Sequence, residues 1–478
     1  MVQISVDGRV RVPLSEIREE EAASIRKAFT YPNPSAGKPR HEGEPSFYRT
    51  WSHDEAGNLT VPRGGLEKVE SILGGRNPGS VRDLRTWSHP EPDFPDHRKE
   101  PRDYQVEMMD AADAHDHGIL RASTGSGKTT TAFGMLARWK RRSLVMVCSG
   151  ALLKQWRERA IEELGIAPED VGHIQGDREI IRPLTLAMQQ TIASRFADRG
   201  SGELMDAFDV FIMDEVQRSP AATCVAAIDP FTARKRFGIS ADHSRHDGLE
   251  FIATDLFGPV ICSIDPARVV ASGATVEVEI ACVPTKFQAP WYRYRQDFNK
   301  LLHQMTNDDG RNAQILSLVR SAVASGEQVI VFTHRVEHAR YLDGQVAKMG
   351  IPGGLMLGGK PEEKEFDRTK MRLKAGQIRV AVGTYAAIGE GIDVPSVARG
   401  IGCTPMHNNR QKVNQVMGRI CRGSAGKTGG RLAYLFDPGI YGRKPVVNFE
   451  AWFPSVKVWS EADRRWLEAR DWLGRRAA

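Results

Sequence analysis

No stretch of this 478-residue sequence approaches the ~20 consecutive apolar residues that a membrane-spanning helix needs. The opening residues Met1-Val2-Gln3-Ile4-Ser5-Val6-Asp7 are likewise no signal peptide. These two absences predict a cytoplasmic protein with no membrane partner. Cysteine is scarce: six residues, at 148, 224, 262, 282, 403 and 421, with no C-x-x-C pair. Most lie in apolar strand-like runs such as Leu144-Val145-Met146-Val147-Cys148, which reads as buried reduced thiols rather than a disulfide framework or a zinc site. Charge of one sign is nearly lacking too: 66 Lys and Arg against 60 Asp and Glu leave +6, which permits nucleic-acid binding without establishing it. The remainder, 41% hydrophobic and 26% charged, is ordinary globular composition in a chain too long for one core.

Residues 1–97 are rich in Pro, Gly and Arg and lack long periodic segments. Short strand-like runs (Val2 to Val6, Arg9 to Val12, Leu59 to Val61) and helix-like ones (Ser15 to Phe29, Leu66 to Leu73) predict a small α+β domain. The pentapeptide Arg-Thr-Trp-Ser-His occurs at 49–53 and again at 85–89, which reads as coincidence over so short a match. A Pro-rich linker, Pro90-Glu91-Pro92-Asp93-Phe94-Pro95, marks the boundary. Over 98–287, strands at Gly118–Ala122, Leu144–Cys148, Val210–Met213 and Arg236–Ser240 alternate with helix-like stretches, the pattern of a parallel, doubly wound α/β sheet. The alternation restarts over 288–445, with strands at Gln328–Phe332, Leu355–Leu357, Ile378–Val382, Ile401–Cys403 and Leu432–Phe436. Two such domains side by side predict a cleft beyond the strand C-termini. Residues 446–478 read as a helical extension, with Ser460 capping an amphipathic helix that carries Trp466, Leu467, Trp472 and Leu473.

Within this frame, Ala122-Ser123-Thr124-Gly125-Ser126-Gly127-Lys128-Thr129 fits a phosphate-binding loop between a strand and a helix. Its glycines let backbone N–H groups wrap phosphates at a helix N-terminus, whose dipole favours anions. Lys128 reaches the β/γ-phosphates, and the Thr129 hydroxyl is a Mg²⁺ ligand, with Thr130 beside it. About 85 residues later the apolar strand Val210-Phe211-Ile212-Met213 delivers Asp214 and Glu215, suited to hold Mg²⁺ and to orient the attacking water. Upstream, Arg102 can stack on a base, and Gln105 offers both acceptor and donor to an adenine edge. Gln415-Val416-Met417-Gly418-Arg419-Ile420-Cys421-Arg422 supplies two arginines one helical turn apart, a spacing that places both guanidinium groups on one face.

These motifs, in this order, resemble those of superfamily 2 helicases and translocases across residues 98–440. Arg102–Gln105 is similar to the adenine-reading motif, Ala122–Thr129 to motif I and Leu152-Leu153-Lys154-Gln155-Trp156 to motif Ia. Asp214–Gln217 resembles motif II, Gly238-Ile239-Ser240-Ala241 motif III, and Val331-Phe332-Thr333-His334-Arg335 motif IV. Gly383-Thr384-Tyr385 through Gly389–Pro395 is similar to motif V, and Gln415–Arg422 to motif VI. Leu153–Trp156, Arg245-His246-Asp247 and Leu256-Phe257-Gly258-Pro259-Val260 resemble the XPB-like and UvsW-like branch, and Leu59–Gly65 resembles the small DNA-binding domain of phage helicases of that branch. The chain departs from the pattern at Gln217, where motif II has His, and at Asp242, where motif III has a neutral hydroxyl.

The resemblance implies two tandem RecA-like domains behind a small α+β domain, ATP and Mg²⁺ as cofactors, and DNA as partner. Thr124, Gly125, Ser126, Gly127, Lys128, Thr129 and Thr130 would cradle the nucleotide with Arg102 and Gln105. Lys128, Asp214, Glu215, Gln415, Arg419 and Arg422 would carry catalysis, Thr129 and Asp214 the metal. Gly391 would help sense the γ-phosphate, with Asp393 near the ribose. Lys154, Gln155, Gln189, Thr191, Thr333, Arg335 and Thr384 would hold nucleic-acid phosphates without reading sequence. The implied activity is an ATP-dependent DNA helicase or translocase on branched DNA (forks, D-loops, Holliday junctions), working with recombination or replication proteins at the nucleoid, and a phage origin fits. The alternatives are an RNA-directed motor, a translocase serving a nuclease, or an ATP-gated DNA clamp without processive unwinding. No nuclease set accompanies the motifs: a metal-binding His-Asp pair in a separate domain and a paired-carboxylate-plus-Lys module are both missing.

Overall fold

The computed structural model describes residues 2–33, 46–74, 81–199, 202–216, 225, 227–241, 250–292, 297–391, 394–424 and 426–475. Gln217, Asp242, the Arg245-His246-Asp247 triplet and Asp393 lie outside them. Two compact units divide the chain. Residues 1–123 and 127–268 make one, and residues 269–478 with the tripeptide Thr124–Ser126 make the other.

In the first unit, alternation in Arg9–Pro13 turns Val10 and Val12 inward and the arginines outward, as a half-buried strand requires. That strand lies in a five-stranded sheet ordered Ser52–His53, Asn58–Pro62, Arg9–Pro13, Ser5–Val6 and Arg82–Asp83. Helices Glu19–Ala28 and Leu66–Ile72 add Ile25, Phe29 and Val69 to its core. The expected α+β domain is therefore present, and it is seated on the larger sheet of the same unit. Asp255, buried on the helix Glu250–Phe257, accepts from Lys68 Nζ at 2.9 Å, the Tyr31 hydroxyl at 2.8 Å and the Thr50 hydroxyl at 3.0 Å. Arg63, with no exposed surface, donates to the Ala233 carbonyl at 2.6 Å.

The larger sheet runs Arg178–Ile180, Val171–Gln175, Leu184–Met188, Ser143–Val147, Val210–Asp214, Lys235–Ser240, His117–Arg121 and Val260–Ser263. All neighbours are parallel except the first pair. Ser143–Val147 and Val210–Asp214 are buried along their whole length, the pattern of strands covered on both faces. The second unit repeats the design. Its order is Gly353–Met356, Val380–Thr384, Gln328–Thr333, Val397–Gly402, Gly430–Phe436, Val278–Pro284, Val456–Ser460 and Arg465–Glu468, and only the last pair is antiparallel. Each unit thus carries the doubly wound sheet of a RecA-like domain. No described helix is long and apolar enough to cross a membrane.

Three features depart from the sequence reading. Val278–Pro284 pairs with Gly430–Phe436 and Val456–Ser460, so residues expected in the first α/β domain belong to the second sheet. The described residues 460–475 do not form one capped helix. Val456–Ser460 and Arg465–Glu468 make an antiparallel hairpin at the sheet edge, with Trp459 opposite Trp466, and a short helix, Ala469–Gly474, follows. The Ser460 hydroxyl caps the hairpin turn instead, accepting from the Asp463 N–H at 3.2 Å, and Arg464 turns the chain with φ +53°. The Pro-rich linker at 90–95 is anchored as well, with Phe94 buried and Glu91 paired with Arg141 at 2.7 Å, and the residues just before it are held too. The Ser88 and His89 N–H groups donate to the buried Asp209 carboxylate at 2.7 and 3.3 Å, and Trp87 lies between the Arg141 and Arg234 guanidinium groups.

Candidate functional site

The phosphate-loop motif follows the strand His117–Arg121 of the first unit, and the helix Lys128–Trp139 of that unit begins at its lysine. Gly125 and Gly127 have φ of +89° and +84°, left-handed values that cost a side chain and so call for glycine. A Cβ on Gly127 would also stand 2.5 Å from Gln105 Nε2. Lys128 is nearly buried, with its ammonium turned back to the Ala122 carbonyl at 3.2 Å and the Ser123 carbonyl at 3.4 Å. The helix N-terminus and this ammonium provide the positive potential that phosphate oxygens require.

Asp214 ends the strand Val210–Asp214, so its carboxylate emerges at the C-terminal edge of the sheet, as the phosphate loop does. Burial, and after it the neighbouring Glu215, raise its pKa against the opposing pull of Lys128 and the Trp156 indole, and the balance stands at about 6. Trp156 Nε1 donates to Asp214 Oδ2 at 2.8 Å from the helix Gly150–Leu164. A buried carboxylate held by one indole and facing one ammonium is suited to a divalent cation, which would relieve its desolvation. Glu215 follows in a left-handed conformation, φ +55°, which for a non-glycine residue costs on the order of 1–3 kcal/mol. Strain of this kind concentrates at functional positions, and here it falls on the carboxylate expected to orient water.

Other first-unit candidates stand differently from expectation. Gln105 is buried on the helix Asp103–Asp113, where its Oε1 accepts from the Arg102 N–H at 2.9 Å and its Nε2 donates to the Gly127 carbonyl at 3.3 Å. It therefore ties a helix start to the phosphate loop, while Arg102 is exposed. Thr129 is half-buried. Thr130 is not turned to a nucleotide: its hydroxyl accepts from Arg159 Nη2 at 2.5 Å and lies 3.5 Å from Glu163 Oε1. Ser126 and Thr124, which group with the second unit, are buried and half-buried respectively. Among the nucleic-acid candidates, Lys154 is exposed and Gln155 half-buried, on the outer side of Gly150–Leu164. Gln189 has no exposed surface, and the half-buried Thr191 uses its hydroxyl to accept from the Gly176 N–H at 3.1 Å.

In the second unit the helix Arg410–Ile420 carries Gln415 and Arg419 and stops at Ile420. Arg422 lies beyond it, in a backbone bridge with Thr275, so the two arginines do not share one helix. Arg419 is nearly buried, and Gln415 and Arg422 are half-buried. Gly391 ends the helix Tyr385–Gly391, whose first turn is capped by the Thr384 hydroxyl accepting from the Ala387 N–H at 3.3 Å. Thr333 is fully buried, hydrogen-bonded through its hydroxyl to His338 Nδ1 at 2.9 Å, and presents nothing to a phosphate. Arg335 donates to the Asn299 carbonyl at 3.1 Å and lines a polar cavity of about 740 Å³. Among the described lining residues Lys300 adds a second cation, opposed by Asp309 and Glu337.

Three side chains thus hold the site in ways the sequence did not indicate: Trp156, read only as the end of motif Ia, on Asp214, and Arg159 with Glu163, which no motif included, on Thr130. Nothing local in the sequence signals the first, because its partners are 58 positions apart.

Comparison with known proteins places these motifs in context. The family described as "Type III restriction enzyme, res subunit" matches residues 98–245, and the "Helicase conserved C-terminal domain" matches 311–424. The "DNA 3'-5' helicase XPB" of Kineococcus radiotolerans is 26% identical over 332 residues, covering 67% of this chain and 57% of that protein. The "Probable helicase D10" of Escherichia phage T5 is 23% identical over 317 residues, covering 65% of each. Among solved structures, S. cerevisiae Dbp5 bound to RNA and ADP BeF3 is similar in fold, with TM-score 0.55 and 14% identity over 75% of this chain and 89% of that one. The chain spans between about half and three-fifths of the length of the first curated relatives it matches, at 57%, 60% and 53%.

Proposed function

The chain belongs to the superfamily 2 helicases, in the branch that holds XPB-like and phage helicases, and on that premise we propose that it is an ATP-driven DNA translocase or helicase. The observation that carries the proposal is the placement of Lys128 and Asp214 at the same edge of one sheet, the lysine on a glycine-built phosphate loop and the carboxylate buried and raised in pKa.

In the proposed reaction the loop N–H groups and Lys128 bind the β- and γ-phosphates of ATP, and Thr129 and Asp214 hold Mg²⁺. Bound there, Mg²⁺ supplies charge neutralisation between the phosphates. Glu215 orients the attacking water and takes its proton as the bond to phosphorus forms. Arg419 and Arg422 are assigned the charge that develops on the transferred phosphoryl, a role worth ~10³–10⁵ in rate. Gln105 fixes the loop from behind. The exposed Lys154 and the cavity-lining Arg335 are the charged candidates for phosphate contacts with a strand, while Thr333 and Gln189 are withdrawn as direct contacts because they are buried. Branched DNA as the preferred substrate rests on the resemblance at Leu153–Trp156 and Leu256–Val260.

Steady-state ATPase and unwinding across single strands, duplexes, forks and four-way junctions test the proposal, run at several salt concentrations because phosphate-driven affinity falls steeply with salt. DNA stimulates turnover, and forks or junctions stimulate it most. Glu215→Gln keeps ATP binding and lowers kcat by about 10²–10⁴. Intact ATPase without strand separation would favour a clamp over a helicase.

A further inference from the structure

Glu163 sits near the end of the helix Gly150–Leu164 with no exposed surface, and the proposed chemistry makes no use of it. Its Oε1 receives Arg159 Nε at 2.8 Å and Lys99 Nζ at 3.1 Å, and its Oε2 lies 3.4 Å from His97 Nε2. Its backbone carbonyl accepts from the Arg98 N–H at 2.9 Å. Three consecutive residues of the segment that joins the N-terminal domain to the α/β domain, His97, Arg98 and Lys99, therefore all converge on this one residue. Arg98 also packs its guanidinium against Gly165, the left-handed cap at φ +69°, where a cation complements the helix C-terminus. Burial opposes ionisation of Glu163, yet Arg159 and Lys99 overcome it and hold the carboxyl below its usual range.

On its other side the same carboxylate reaches the phosphate-loop helix. Arg159 Nη2 donates to the Thr130 hydroxyl at 2.5 Å, and that hydroxyl lies 3.5 Å from Glu163 Oε1. Thr130 is buried in the first turn of Lys128–Trp139, two residues after the lysine. A displacement of that turn moves Lys128 and Thr129 with it, because helix backbone is stiff on this scale. The carboxylate is thus the shared partner of the joining segment and the nucleotide-binding turn.

We propose that Glu163 is a positioning residue that couples the seating of residues 97–99 to the nucleotide affinity of the phosphate loop, through Arg159 and Thr130. Without Lys99 the segment loosens, and the Arg159–Glu163 pair and the Thr130 turn lose one fixed end. Lys99 is part-exposed, and valine at 130 keeps the shape of the buried threonine while removing the hydroxyl that Arg159 uses. The proposal rests on ATP binding at Lys128.

The test is a double-mutant cycle on the full chain, read as the Kd of a fluorescent ADP analogue with Mg²⁺ and as KM against kcat for ATP. Lys99→Ala and Thr130→Val each weaken nucleotide binding by about five- to tenfold, and the double variant is no weaker than the worse single variant. Glu163→Gln raises KM for ATP by a similar factor with kcat held within about twofold, and thermal unfolding confirms that each variant is folded. Independent effects that multiply in the double variant, or an unchanged Kd for Lys99→Ala beside a weakened Thr130→Val, would overturn the coupling. Wild-type protein that binds no nucleotide would overturn the ATP reading instead, which keeps the two failures distinct.

Discussion

Burial and Glu215, opposed by Lys128 and Trp156, together raise the Asp214 carboxyl to a pKa of about 6. A carboxyl whose folded pKa stands above its unfolded value binds its proton more tightly in the native state. The metal-free protein therefore gains stability from this group as pH falls from 7 through about 6 towards 4, and loses it as pH rises again. Asp214→Asn removes the penalty while keeping an oxygen for the Trp156 indole. We expect it to raise metal-free stability at pH 7.5 by roughly 1–3 kcal/mol in chemical denaturation, and to flatten the pH dependence between 7 and 5. The same variant loses Mg²⁺-dependent ATPase. Stability given up for a functional carboxylate is a common trade, and an Asp214→Asn protein less stable than wild type would contradict this account. At this scale the sequence was partly legible. Lys128 and Asp214 announce themselves through local patterns. The use of the Thr130 hydroxyl by Arg159 does not, since an i+2 threonine after the lysine reads the same whichever way its side chain turns.

Among the elements, strands buried on both faces were the most legible, because Ser143–Val147, Val210–Asp214 and Gln328–Thr333 are continuous apolar runs that only an interior parallel strand accommodates. Val171–Gln175 escaped notice because glycine, histidine and glutamine interrupt its apolar run. Val278–Pro284 falls inside the 98–287 span expected for the first α/β domain yet pairs in the second sheet, since strand order is a property of tertiary pairing that periodicity does not encode. The C-terminal hairpin is not legible because Trp466, spaced with Trp472 for a helix face, equally suits a cross-strand pair, and it meets Trp459 edge-on at 5.4 Å. Inside the second unit, the helix Asp309–Ala324 is pinned by the fully buried Arg311, which pairs with Asp437 after the strand Gly430–Phe436 and donates to the Cys403 carbonyl at 2.5 Å. Arg311→Ala leaves Asp437 buried without its cation. We expect a loss of about 3–5 kcal/mol, measured by denaturant unfolding. A loss below about 1 kcal/mol would show that solvent reaches the pair.

Across the whole molecule, the N-terminal domain and the first α/β domain form one compact unit. The close approach of Gly64 to the helix Glu250–Phe257 accounts for part of that: a Cβ there would lie 2.2 Å from the Gly258 nitrogen and 2.3 Å from the Thr254 carbonyl oxygen. Gly64→Ala must push backbone away from backbone, so we expect a separate unfolding step or proteolytic release of residues 1–97 under conditions where wild type is resistant. Nothing in the sequence of residues 1–97 foretold this seating, because Asp255 and its partners Tyr31, Thr50 and Lys68 are joined only by the fold. The central claim is a DNA-driven ATP hydrolase, and the most direct measurement is steady-state ATPase of the wild type and Lys128→Ala with DNA, with RNA and with neither. The account predicts strong stimulation of the wild type by DNA, little by RNA, and no turnover in Lys128→Ala. Wild-type hydrolysis indifferent to DNA, or equally stimulated by RNA, would contradict it.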